Sequence, residues 1–263
     1  MSNSFKNILI PVDLSINTEV AIEKGMALAG QDTVLNLLHI RNALPFETVQ
    51  GRMRELEQKI VKSGLVKKVE TIIQKGRNVE GIIEHYAARL DSDLVIIAKK
   101  SNHSWFPFLN KIVPSRLVKN TGIPALTVKP GAFNNKIRTI LVPVNDYECK
   151  PKLEVIASLC NKFNVKIHLV TFLNDGLQPT DDNASSLLNV YQWIKSSHSC
   201  QIEYAALREN NKARTLLKYA QEINADMMLL YAEKETRIGW MDKHISDLIP
   251  PGSKMQVLSV QPA

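Results

Sequence analysis

The residues of this chain that could carry chemistry are a strand-terminal carboxylate, a group of lysines around one loop, and a few histidines and cysteines. Asp13 ends the apolar run Ile8-Leu9-Ile10-Pro11-Val12. Open α/β sheets bind ligands at the carboxyl ends of their strands, so Asp13 is a candidate to hydrogen-bond a ribose or a base. An aspartate there also suits the turn or cap of the following helix, and the residues alone leave both readings open. Lys99, Lys100 and Lys111 surround a loop after a second apolar run, 94–98, where they could hold an anion by charge or be solvated surface. The same loop contains His103-Ser104-Trp105-Phe106-Pro107-Phe108. Its three rings could fill a cleft, cover one as a lid, or meet a partner.

The remaining candidates argue against catalysis. The histidines (39, 85, 103, 168, 198 and 244) form no ligand motif, and no Ser-His-Asp or Cys-His arrangement has a recognisable spacing. His39 and His168 are expected to be structural. Cys149, Cys160 and Cys200 give an odd, low count without metal-ligand spacing, which suits a reducing compartment and no disulfide framework. Cys160 follows Ile156, Ala157 and Leu159, so it reads as a buried, inert thiol. With no general base, no metal-binding acids and no phosphate loop, the chain is expected not to be an enzyme.

Composition narrows the class further. The chain has 263 residues, 44% hydrophobic and 22% charged, with a net charge of +7. The lysines are scattered, whereas a nucleic-acid footprint clusters, so nucleic acid is an unexpected partner. No apolar run approaches the ~18 residues of a membrane span. Residues 1–6 lead straight into a strand without a signal-peptide core. These features predict a cytoplasmic location and no membrane contact.

The elements that must position these residues occur twice. Ile8–Asp13 reappears as Ile140-Leu141-Val142-Pro143-Val144-Asn145, and residues 34–40 match 166–172, both 132 positions on. Residues 93–98 match 226–231 at 133, and 125–130 match 257–262 at 132. A near-constant offset over four blocks marks a duplicated unit. Each copy alternates strands and helices. The first reads as strands 7–13, 34–40, 69–74, 94–98 and 125–128, with helices 19–29, 47–63, 79–90 and 111–121. Asn17 or Thr18 is the expected cap of the first helix, and Gly122 with Pro124 stops the last. The second reads as strands 139–145, 166–171, 201–207, 227–231 and 256–260, with helices 151–161, 184–197, 213–223 and 242–248. Such alternation predicts right-handed crossovers and a parallel sheet. The expected organisation is two tandem doubly wound α/β domains, 1–130 and 137–263, each with a five-stranded parallel sheet, joined by a linker at 131–136.

This order of segments resembles the universal stress protein family in its tandem form. Lys6–Ser15 resembles the family's first strand and Asp-x-Ser turn, Leu37–Ile40 its second strand, and Gly76 the glycine after its third. Asp93–Ala98 and Ile123–Val128 resemble the fourth and closing strands. ATP-binding members carry Gly-x2-Gly-x9-Gly-Ser/Thr after the fourth strand, where backbone amides and a helix N-terminus receive phosphate. Here those positions fall on Ala98, Ser101, Lys111 and Ile112, and in the second copy on Tyr231, Lys234, His244 and Ile245.

The resemblance therefore implies a degenerate nucleotide site at Pro11, Val12, Asp13, Ile40, Ala98, Ser101 and Lys111, with ATP disfavoured and no other cofactor. Asn145 and Glu209 replace Asp13 and Gly76 in the second copy, Tyr231 puts a ring where the nucleotide would pass, and Trp240 lies in the matching loop. The resemblance also implies that 125–128 pairs with 256–260, giving an intramolecular pseudo-dimer, with a homodimer of whole chains plausible. The expected function is a non-catalytic stress-response protein acting on an unknown protein partner. The alternative is a nucleotide- or anion-binding regulator using the first cleft.

Overall fold

The computed structural model describes residues 5–41, 45–99, 112–129, 136–144, 149–172, 181–208, 211–235, 237–238, 243–250 and 253–262. Ten strands form one sheet: β1 (Phe5–Val12), β2 (Ala29–Arg41), β3 (Lys68–Lys75), β4 (Leu94–Ala98), β5 (Ala125–Val128), β6 (Thr139–Pro143), β7 (Lys166–Phe172), β8 (Gln201–Leu207), β9 (Met227–Tyr231) and β12 (Gln256–Val260). Two short strands, β10 (Arg237–Ile238) and β11 (Lys243–His244), make a separate antiparallel pair. The helices are α1 (Ile16–Leu28), α2 (Phe46–Ser63), α3 (Val79–Arg89), α4 (Pro114–Thr121), α5 (Lys150–Lys162), α6 (Asp181–Ser197), α7 (Lys212–Glu222) and α8 (Ile245–Leu248). Among the described residues, no helix is long and apolar enough to cross a membrane.

The strand order is β3-β2-β1-β4-β5-β12-β9-β6-β7-β8. Read outward from the middle, each half has the same doubly wound order. Neighbours are parallel within each half, and β5 and β12 meet antiparallel, with Thr127 opposite Val257, Leu126 opposite Leu258 and Ala125 opposite Ser259. The expected pairing of the last strands is present, and it turns two sheets into one. It also removes an exposed edge from each half.

The sequence explains why the central strands lie inside. Every residue of β4, β9 and β12 is buried, as expected for parallel strands covered on both faces. Alternate residues feed different cores. Leu94, Ile96 and Ala98 join a cluster that continues into the second half through Met227, Leu229 and Tyr231. Val95 and Ile97 pack on the opposite face with Ile83, Ala87 and Leu117, and Met228 and Leu230 with Leu216 and Ile245.

The duplicated polar residues are staples. Asp93 accepts from the backbone amides of Lys6 (2.6 Å) and Asn7 (3.3 Å), tying the start of β4 to β1. Asp226, 133 positions on, accepts from Arg138 (2.9 Å) and Thr139 (3.0 Å) and ties β9 to β6. The Asn78 side chain caps α3 through the Gly81 amide, and Asn211 caps α7 through the Arg214 amide, both at 3.1 Å. Asp91 and Asn224 follow these helices with φ of 48° and 51°, a conformation that short polar side chains tolerate.

Several boundaries differ from the sequence reading. Helix α1 starts at Ile16, so Asn17 and Thr18 fall within its first turn and not before it. Strand β6 ends at Pro143. Strand β2 begins at Ala29, where the Thr33 hydroxyl donates to the Phe5 carbonyl (2.5 Å) and accepts from the Gly30 amide (2.7 Å). Helix α4 begins at Pro114, whose fixed φ suits a first turn, and ends on Gly122 with φ 73°. The predicted helix 242–248 is a single turn after β11, capped by the His244 amide donating to Asp247 at 3.1 Å. Residues 131–135 of the expected linker lie outside the described residues.

Candidate functional site

Each half has one point where the strand order reverses, between β1 and β4 and between β6 and β9. Ligands of open α/β sheets bind there, beyond the carboxyl ends of the strands. The structure brings Pro11, Val12, Asp13, Ile40 and Ala98 to the first of these points and buries all five. Ser101, Lys111, Lys100 and the aromatic segment 103–108 lie outside the described residues, as do Asn145, Glu209 and Trp240.

One oxygen of Asp13 is engaged in the turn. Its Oδ1 accepts from the Ser15 amide (3.0 Å), the Ser15 hydroxyl (2.5 Å) and the Thr18 hydroxyl (2.9 Å), while Thr18 Oγ1 accepts from the Asp13 amide (3.1 Å). Between them Leu14 has φ 57°, so this oxygen anchors a tight entry into α1. His39 Nδ1 donates to the Val12 carbonyl at 2.9 Å. Burial holds the His39 imidazole below its ordinary pKa, against the opposing pull of the Val12 carbonyl and the Asp13 charge.

The lysine after β4 is also engaged. The Lys99 amide continues the ladder to Val128 (2.9 Å), and its ammonium donates to Asp247 of α8 at 2.6 Å. Burial pushes Asp247 up, but the Lys99 hydrogen bond and charge outweigh it and leave the carboxyl below its usual range. Lys129 is held below its ordinary pKa by burial first and the Lys99 charge second. From α4, the Ser115 hydroxyl donates to Glu233 (2.9 Å) and lies 3.3 Å from His244 Nδ1. These contacts join the first half to the second.

The second reversal point is filled from within. The Tyr231 side chain ends β9 fully buried, as its place in the sequence suggests. Helix α5 puts Lys152 on the face carrying Val155, Ile156 and Leu159, so its chain must run inward. The Lys152 ammonium donates to the Pro143 carbonyl and to Glu235 Oε2, both at 2.7 Å, and sits 4.1 Å from the centre of the Tyr231 ring. Glu235 Oε2 also accepts the Tyr231 amide at 2.7 Å. The side chains of Lys152 and Glu235 are 1% and 5% exposed. Cys149 lies beside them, its thiol pushed up by burial although the Lys152 charge opposes.

A buried pair of this kind persists only when its geometry and extra hydrogen bonds offset desolvation, and here carbonyl, amide and ring all contribute. The first half has Val20 at the position of Lys152 and Ala98 at that of Tyr231, so the polar plug belongs to the second half. Sequence reasoning missed Lys152 and Glu235. The signal for Lys152 was its helical phase with three apolar residues. Among the described residues, no group of three or more His, Cys, Asp or Glu side chains is placed to hold a metal ion.

Residues 4–129, most of the first half, match the model of the universal stress protein family. No curated protein sequence matches the chain. A universal stress protein from Archaeoglobus fulgidus DSM 4304 shares the fold over 99% of this chain and 98% of its own, at 14% identity and TM-score 0.67. A functionally unknown protein from Pseudomonas aeruginosa PAO1 does so over 99% and 94%, at 14% identity and TM-score 0.69. The cytoplasmic domain of a prokaryotic cation chloride cotransporter covers 98% of this chain with 96% of its own, at 10% identity and TM-score 0.61.

Proposed function

We propose that the chain is a tandem universal stress protein that acts as a non-catalytic stress-response regulator through protein contacts and without ATP. The observation that carries this reading is the Tyr231–Lys152–Glu235 plug at the second reversal point. A nucleotide entering there would have to displace a ring and break a buried ion pair. In the first half, the commitment of Asp13 Oδ1 to its own turn supports the same reading. The match at residues 4–129 and the full-length fold likeness support the tandem assignment. The family assignment is what links the chain to stress. Isothermal titration with ATP and with ADP tests the proposal. The expected result is no binding in the micromolar range. Micromolar binding lost on Asp13→Ala would instead favour a nucleotide regulator using the first half.

A further inference from the structure

A second group of reactive side chains lies at the opposite ends of the strands. Helix α5 ends at Lys162, and the chain turns through Phe163, whose amide donates to Leu159 at 2.8 Å, before entering β7. Helix α6 ends at Ser197, and Cys200 directly precedes β8. Because Lys166 of β7 faces Gln201 of β8, this register sets Cys200 beside the turn that follows Cys160. The two thiols are near enough for Cys200 to act on the Cys160 sulfur. Both are free thiols, both are half-buried, and both pack on the same core cluster. They line one surface cavity of about 530 Å³ together with Asn161, Asn164, Ser197 and His198. Cys160 was expected to be buried; it is only half-buried.

We propose that Cys160 and Cys200 form an oxidation site that closes to an intramolecular disulfide when a hydroperoxide enters this cavity. The Cys200 sulfur attacks the peroxide; an S–O bond forms, the O–O bond breaks, and the departing oxygen leaves as water with the thiol proton. Cys160 then attacks the sulfenic sulfur; the S–S bond forms, the S–O bond breaks, and a second water carries away the Cys160 proton. Two thiols and one hydrogen peroxide give one disulfide and two waters, with both electrons supplied by sulfur. The order follows from the environment. Burial, reinforced by the neighbouring Cys200, pushes the Cys160 thiol up to about 12, which disfavours it as the first attacking thiolate and leaves it the resolving role. A pair of cysteines that can close reversibly is the usual form of a redox sensor in a reducing compartment.

The bond would tie the end of α5 to the start of β8. Lys162, two residues beyond Cys160, donates its ammonium to the Ala29 carbonyl in the first half. Oxidation is therefore felt at a place where the two halves touch.

The test treats the intact protein with hydrogen peroxide, blocks remaining thiols with iodoacetamide, and maps peptides by mass spectrometry. The expected result is loss of two of the three thiols, a linked Cys160–Cys200 peptide pair that dithiothreitol separates, and an alkylated Cys149 once the protein is unfolded. Cys200→Ser should abolish the link, and Cys160→Ser should leave a sulfenic acid on Cys200 that dimedone traps. A link through Cys149 or between two chains would overturn the proposal. So would Cys200 passing to sulfinic acid in the native protein with no linked pair.

Discussion

Replacing Lys152 by methionine keeps a chain of similar length and apolar volume on the inner face of α5 and removes only the ammonium. Three contacts go with it: Glu235 Oε2 and the Pro143 carbonyl, each at 2.7 Å, and the Tyr231 ring at 4.1 Å. The carboxylate that faced it is 5% exposed. Removing one partner of a buried ion pair costs about 3–5 kcal/mol, and the lost ring contact adds up to ~2 kcal/mol. With a urea slope of ~2–3 kcal/mol per molar, the midpoint followed by circular dichroism should fall by about 1–3.5 M. Adding Glu235→Gln neutralises the carboxylate and keeps an acceptor for the Tyr231 amide. The double variant should regain most of that loss, giving a coupling of at least ~2 kcal/mol. A Lys152→Met midpoint within ~0.3 M of the parent, or a double variant as weak as the sum of the singles, would refute the argument that this pair closes the second half.

Lys99→Met should cost far less, under ~1 kcal/mol, because the Asp247 side chain it pairs with is 36% exposed; the same urea titration compares the two lysines directly. Stability should fall on acidification through neutral pH. His39 is held below its ordinary 6.5 in the fold by burial, so the unfolded chain protonates first and the contribution, complete above that value, is lost as pH drops towards the folded pKa. His168 is shifted in the same direction by burial. The urea midpoint at about pH 5.5 should lie below that at about pH 7.5, and His39→Gln should narrow the gap; an unchanged gap would remove His39 from the account. The oxidised Cys160–Cys200 form closes a loop of about 40 residues and should be more stable than the dithiol by up to ~4 kcal/mol. A reduced-versus-oxidised melt reads this, and oxidation that lowers the midpoint would mean a bond formed against the fold.

Much of the fold was legible because buried parallel strands write themselves as apolar runs. Leu94–Ala98 and Met227–Tyr231 could hardly be surface, and their near-constant offset from Pro11 and Pro143 exposed the repeat. The antiparallel meeting of β5 and β12 came from the family resemblance, since nothing in Ala125–Val128 alone names a partner. Boundaries erred where local chemistry decided them. Proline at 114 set the start of α4, and β11 took residues assigned to a helix. Asp13 was legible as a choice between ligand and turn, and Ser15 and Thr18 supply one of its carboxylate oxygens with donors within one helical turn.

The polar plug was not legible, because Lys152 and Glu235 are 83 residues apart and belong to a helix and a turn that share no motif. Only the inward phase of Lys152 hinted at a buried charge. Cys160 and Cys200 were hidden for a related reason. Their contact depends on the register of β7 with β8, and α6 lies between them in the chain.

The measurement that bears most directly on the central claim is an experimental structure of the intact protein crystallised with millimolar ATP and magnesium. The expected result is the Tyr231 ring buried at the end of β9 against the Lys152 ammonium, that ammonium joined to Glu235 and Pro143, and no nucleotide beyond the ends of either set of strands. A nucleotide lodged beyond β6 and β9, with Tyr231 swung outward and the Lys152–Glu235 pair broken, would contradict it.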